Sequence, residues 1–117
     1  MLSFEQLLAR TSRALEGEAA LSPEQVAAQL VVLPEWSQQD GAMARTFHFG
    51  NYHETLAFVN ALAFMVHRED HHPDLVVGYN RCVVRFSTHS VGGISENDFI
   101  CAAKADAIFA QRYGAAA

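Results

Sequence analysis

From Tyr52 to Asp70 the chain contains neither glycine nor proline, and Asn51 with Glu54 three residues on is a helix-start pair, so the sequence predicts one long helix over 52–70. Its apolar residues do not keep to one face. Leu56, Val59, Ala63 and Val66 form one stripe, Phe58, Leu62 and Met65 a second, and Ala57, Ala61 and Phe64 widen it further. A helix apolar nearly all round must be covered on more than one side. In a chain of 117 residues, which has room for one domain, the second cover is expected to come from another subunit.

The segments flanking this helix have a period of two. Asp40-Gly41 is a two-residue hairpin signal, after which Met43, Arg45, Phe47 and Phe49 alternate with Ala44, Thr46 and His48. Beyond Pro73, residues 75–77 and 81–88 predict a second hairpin around Gly78-Tyr79-Asn80, with Cys82, Val84 and Phe86 on one face of the later strand. Two more helices are marked by caps: Ser22-Pro23-Glu24-Gln25 opens one that Pro34 stops, and Ser95 with Asp98 opens one running to about Arg112. The pattern is α-ββ-α-ββ-α, a single-domain α+β layer fold. Ahead of it, Phe4, Leu7, Leu8 and Leu15 suggest a loose amphipathic helix over 3–15, broken from the next at 16–20. The chain thus divides into a helical extension at 1–20, a domain at 21–113 and a tail at 114–117 that is expected to fray.

Eight Lys+Arg against 13 Asp+Glu leave a net charge of −5, and no basic residues form a run, which argues against nucleic acid as a partner. The longest apolar stretch, 56–66, is interrupted by Asn60 and is too short to span a membrane. With no basic segment ahead of an apolar one at the start, the expected location is cytoplasmic. Cys82 and Cys101 have no CxxC partner and read as reduced, buried small hydrophobes.

Chemistry points to the histidines. Of six, His67, His71 and His72 fall at the end of the long helix and His89 at the end of the last strand, and element ends are where functional groups collect. Two imidazoles from different elements can protonate a leaving group and remove a proton elsewhere, which is acid/base chemistry without a nucleophile. Two other readings stay open on spacing alone. His71-His72-Pro73 suits a plain helix C-terminus, where a cationic ring favours the dipole. His67 and His71, at i and i+4, could share a Zn²⁺ with His89 as a third ligand. Nucleophile elbows, P-loops and dinucleotide fingerprints are missing from the sequence.

Several spaced blocks, in order, resemble the linear signature of the pterin-4a-carbinolamine dehydratases: His71-His72-Pro73-Asp74, Tyr79-Asn80, Ser87-Thr88-His89, Gly92-Gly93-Ile94-Ser95 and Asn97-Asp98, with Trp36 and Phe47-His48-Phe49 similar to that family's first hairpin. The likeness covers about 21–112. It implies a four-stranded antiparallel sheet with helices on one face, assembled as a homodimer or homotetramer. It also implies an enzyme, a hydro-lyase, that dehydrates 4a-hydroxytetrahydrobiopterin or a related pterin to the quinonoid dihydropterin with no metal or organic cofactor. The pathway link is the recycling of tetrahydropterin for aromatic amino acid hydroxylases. Carried over by position, His71 and His89 would handle the proton transfers, His72 would hold the pterin and Asp98 would sit beside the site. Pro73 and the stretch Thr88, His89, Ser90 and Val91 would complete the pterin-binding edge.

The chain departs from the family pattern at three places. Leu75 stands where many members have an aromatic residue, and Ile94 stands for the motif leucine. His67 occupies the place of an acidic residue found in some members, so Glu69 is the expected substitute on the binding side. Some relatives keep this fold as non-catalytic scaffolds, as dimerisation cofactors of a homeodomain transcription factor or as Rubisco assembly factors, and that is the rival function. The retained His71, His72, His89 and Asp98 favour the enzyme, because a scaffold has no need of titratable groups converging from separate elements.

Overall fold

Asp40 and Gly41 both adopt left-handed backbone angles, φ 50° and 77°, as a type I′ turn requires, and join β1 (Ser37–Gln39) to β2 (Ala42–His48). The computed structural model describes residues 1–112, and the tail expected at 114–117 lies outside them. The second hairpin is β3 (Asp74–Val77) and β4 (Arg81–Phe86), and the four strands form one antiparallel sheet in the order β1-β2-β4-β3. Between the hairpins runs α3 (Tyr52–Glu69), with the Asn51 side chain accepting the Glu54 amide at its start. Before them lie α1 (Phe4–Ala9) and α2 (Pro23–Gln29), and after them α4 (Glu96–Ala110). The expected order is therefore present, and no described helix is long and apolar enough to cross a membrane.

Register decides which face the helices cover. Pairing Met43 with Phe86, Arg45 with Val84 and Phe47 with Cys82 puts these side chains on one side of the pleat. There Met43, Phe47, Cys82, Val84 and Phe86 are buried against Phe58 and Leu62 of α3, Phe99 and Ile100 of α4, and Val26 and Leu33. Each large side chain so buried contributes roughly 1.5–3 kcal/mol. On the opposite face Thr46, His48 and Val76 are exposed.

Two expectations need correction. The helix expected over 3–15 ends at Ala9, because residues 12 and 13 give their backbone hydrogen bonds to side chains elsewhere in the domain. The last strand stops at Phe86 rather than at 88. Phe86 pairs with Met43, one residue from the end of the first hairpin's strand, so Ser87 has little ladder left, and Thr88 pairs with Gly93 instead. On α3, only the stripe Thr55, Phe58, Leu62, Met65 and Val66 is buried, while Ala63 of the other expected stripe, Ala57 and Ala61 are exposed and Phe64 is 69% exposed. One chain covers one side of this helix.

Candidate active site

The site is assembled from three chain reversals. At the end of α3, Asp70 takes a left-handed conformation (φ 51°), and the amides of Asp70 and His71 return to the carbonyls of His67 and Val66. This turn throws His71 and His72 off the helix towards the sheet edge, and Pro73 prevents the helix from resuming. After β4, Thr88 exchanges hydrogen bonds with Gly93 at 2.7 and 3.3 Å, and the intervening His89–Val91 turn closes on Gly92 at φ 69°. Ser95 then caps α4, whose third residue is Asp98.

Asp98 is fully buried and ties the three together. One carboxylate oxygen accepts from His71 Nε2 at 2.5 Å, and the other accepts from the Thr88 hydroxyl and the Ser95 amide, both at 2.8 Å. Because the Thr88 hydroxyl donates to Asp98, the 2.6 Å contact between Thr88 and Ser95 must have Ser95 as donor. Ser95 Oγ in turn accepts the Asn97 amide. Every buried side-chain polar atom among the described residues has a partner, as a polar network in a low-dielectric interior requires. With Nε2 held as the donor, His71 Nδ1 is the ring nitrogen left without a protein partner among the described residues. The ring lies nearly parallel to Phe86, at 9°, with centroids 5.9 Å apart.

A cavity of about 410 Å³ opens beside this network, lined by His71, His72, Thr88, His89 and Ser90 together with Glu69. That is the size of a small-molecule site. Of the residues named from the sequence, these six converge on it, and Asp98 lies beneath it in contact with His71. Val91 instead lines a separate cavity of about 130 Å³, and Pro73 lines neither. Glu69 has both oxygens engaged, one by the Ser12 amide at 2.8 Å and one by Lys104 Nζ at 2.7 Å. Burial alone would raise its pKa, but Lys104 and Ser12 outweigh that and hold the carboxyl below its ordinary value.

Asn97, Ser87 and residues 12–16 also belong to this cavity. Asn97 stood within a recognised block but drew attention only to its neighbour Asp98, and nothing in the local pattern of 12–16 marks it as part of a site. His67 is exposed, and among the described residues no three His, Cys, Asp or Glu side chains are grouped to hold a metal ion. Burial pushes the Cys82 thiol up to about 11 and the Cys101 thiol up to about 12, which disqualifies both as nucleophiles at neutral pH.

Residues 19–108 match the family model described as Pterin 4 alpha carbinolamine dehydratase. A protein of Bdellovibrio bacteriovorus, whose name assigns it provisionally to the pterin-4-alpha-carbinolamine dehydratases, is 55% identical over 117 residues, covering 97% of this chain and 96% of its own. The crystal structure of a transcriptional coactivator/pterin dehydratase from Brucella melitensis superposes with a TM-score of 0.73 at 32% identity, over 76% of this chain and 97% of that one. A pterin dehydratase-like protein identified as a RuBisCO assembly factor in the alpha-carboxysome shares the fold, with a TM-score of 0.55 at 23% identity over 69% of this chain and 89% of that one. The blocks that surround Asp98 and the two chain reversals facing it thus fall inside a match spanning most of the domain, and the chain belongs to the pterin 4 alpha carbinolamine dehydratase family.

Proposed function

We propose that this chain dehydrates a 4a-hydroxytetrahydropterin to the quinonoid dihydropterin. The observation that carries the reading is His71, oriented by a fully buried, three-times-bonded Asp98 and opening on the same cavity as His72 and His89. The reaction needs a proton delivered to the 4a-oxygen as the C4a–O bond breaks and the N5 proton removed as the C4a=N5 bond forms, with water leaving. Two imidazoles at one cavity supply both transfers, one ring taking up the N5 proton while the other delivers a proton to the 4a-oxygen. Asp98 fixes the His71 ring and its Nε2 hydrogen, so Nδ1 is the atom offered to the substrate. His72 and the Thr88–Ser90 edge bind the ring system. No step in this scheme calls for a metal or an organic cofactor.

The test is an ultraviolet assay of 4a-hydroxytetrahydropterin dehydration with wild type, His71→Ala and His89→Ala. Each substitution is expected to cost about 10²–10⁴ in turnover while the protein stays folded. Near-wild-type turnover in both variants removes the acid/base assignment.

A partner-binding role is the second reading, favoured by the Brucella structure's description as a transcriptional coactivator as well as a dehydratase. The uncovered α3 face with Phe64, Ala57 and Ala61 supports self-association as a homodimer or homotetramer. Phe64→Glu is expected to lower the sedimentation mass if this face joins subunits.

A further inference from the structure

Residues 10–18 lie outside the family match at 19–108, yet they are seated in the domain by contacts of their own. The Ser12 amide donates to Glu69 at 2.8 Å. The Asn97 side-chain amide pairs with the Arg13 backbone in both senses: Nδ2 donates to the Arg13 carbonyl at 2.7 Å and Oδ1 accepts the Arg13 amide at 3.1 Å. The same device holds the other end of the extension. Gln29 accepts the Leu2 amide at 2.9 Å and donates to the Leu2 carbonyl at 2.7 Å. Leu7 and Leu15 are buried, and Arg10 reaches the Glu96 carboxylate at 3.0 and 3.1 Å. Where the segment rejoins the domain it runs so close that a Cβ on Gly93 would stand 3.0 Å from that of Ala20. This is a fixed strap.

The strap crosses the candidate site. Ser12, Arg13 and Glu16 line the same cavity as His71, His72 and His89. Both clamps grow from the segments that carry the chemistry, since Glu69 is two residues before His71 and Asn97 adjoins Asp98. Arg13 is paired with Glu18 at 2.7 Å, but both side chains are about half exposed, and such a pair is weak enough in water to be exchanged for a ligand. A guanidinium also stacks on flat heteroaromatic rings and donates to their carbonyl oxygens.

We propose that residues 12–16 are a wall of the active site that retains the pterin, with Arg13 a substrate-contacting residue and Glu69 and Asn97 positioning residues acting through the strap. The proposal rests on the dehydratase reading and adds to it a part of the chain that the family match leaves out.

The experiment compares dehydration kinetics of the full chain for wild type, Arg13→Ala and Asn97→Ala, and follows amide exchange at residues 14–16 with and without a 7,8-dihydropterin. Asn97→Ala is expected to raise KM about tenfold and Arg13→Ala several-fold, with kcat falling far less than KM rises. Bound dihydropterin is expected to slow exchange at 14–16. A strap that is merely structural would lower Tm in Asn97→Ala, leave KM alone in both variants and show no protection, and that result overturns the proposal. Arg13 is exposed, so the KM of its variant decides the matter even if Asn97→Ala does not fold. A wild type that neither dehydrates the substrate nor binds dihydropterin overturns the dehydratase reading itself, which is a different failure.

Discussion

Helix α4 carries two carboxylates, the fully buried Asp98 in its first turn and the partly buried Asp106 two turns later, and each is bound to a nitrogen base from another element. Asp98 holds His71, and Asp106 accepts from Arg45 at 2.7 Å and from the Trp36 indole at 2.9 Å. They differ in what lies beyond the nitrogen. The Arg45 guanidinium sits 4.3 Å from the centre of the Phe47 ring and 5.0 Å from that of Phe109, so its free face is closed by aromatic rings. His71 instead lines the open cavity. At Asp106, burial raises the carboxyl pKa even though the Trp36 indole and Arg45 pull the other way. A carboxylate paired with a nitrogen base does not by itself make a site. The pair becomes chemistry only where its outer partner meets open space.

The largest break in this comparison is expected at Asp98. Asp98→Asn keeps the shape, but its amide nitrogen cannot accept the hydrogen bonds that one carboxylate oxygen takes, so the His71 ring loses its fixed hydrogen position or the Thr88–Ser95 chain must rearrange. Turnover is expected to fall about 10²–10⁴-fold, measured beside circular dichroism to show that the fold persists. Activity within tenfold of wild type would mean that His71 is not oriented through Asp98.

Asp106→Ala is the converse. It leaves Arg45 among aromatic rings without its carboxylate, with 15% of its side chain exposed, and strips the Trp36 indole of its acceptor. Stability in urea is expected to fall by about 2–4 kcal/mol while kcat of the folded fraction holds. A loss of kcat without a loss of stability would put Asp106 in communication with the site and undo the distinction between the two carboxylates.

The sequence was legible where local rules and tertiary demands agree. Asp40-Gly41 encodes its own turn, Ser95 and Asp98 encode their own cap, and the alternation around Phe47 and Val84 names the buried face. The residues that the fold brings together at the candidate site were legible through spaced blocks, because His71, Thr88, His89 and Asp98 each sit at a chain reversal with a motif of its own. What stayed hidden depends on contacts between distant positions. The strap's amides are taken by Glu69 and Asn97, 57 and 84 residues away, so a segment with helical spacing is pulled out of the helix and into the cavity. The engagement of Glu69 by Lys104 was equally hidden, since nothing in the sequence of α3 says which side chain of α4 it will face.

Glu69 supplies the smallest and most discriminating test, because it stands between the two cases: a carboxylate paired with a cation, as at Asp106, yet on the wall of the cavity, as His71 is. Its folded-state pKa lies below the ordinary value of 4.5, so protonation is harder in the fold than in the unfolded chain. The ionised pair therefore contributes stability fully above 4.5, and that contribution is lost as pH falls through the folded-state value. Glu69→Gln is expected to be less stable than wild type by about 1 kcal/mol at pH 7, with the two urea curves converging in acid. The substituted amide would keep an acceptor for the Ser12 amide while losing the charge that faces Lys104. A difference that persists at low pH would mean that Glu69 acts through shape and hydrogen bonding, and convergence would assign its contribution to the Lys104 pair, leaving the strap anchored by an oxygen that either side chain can provide.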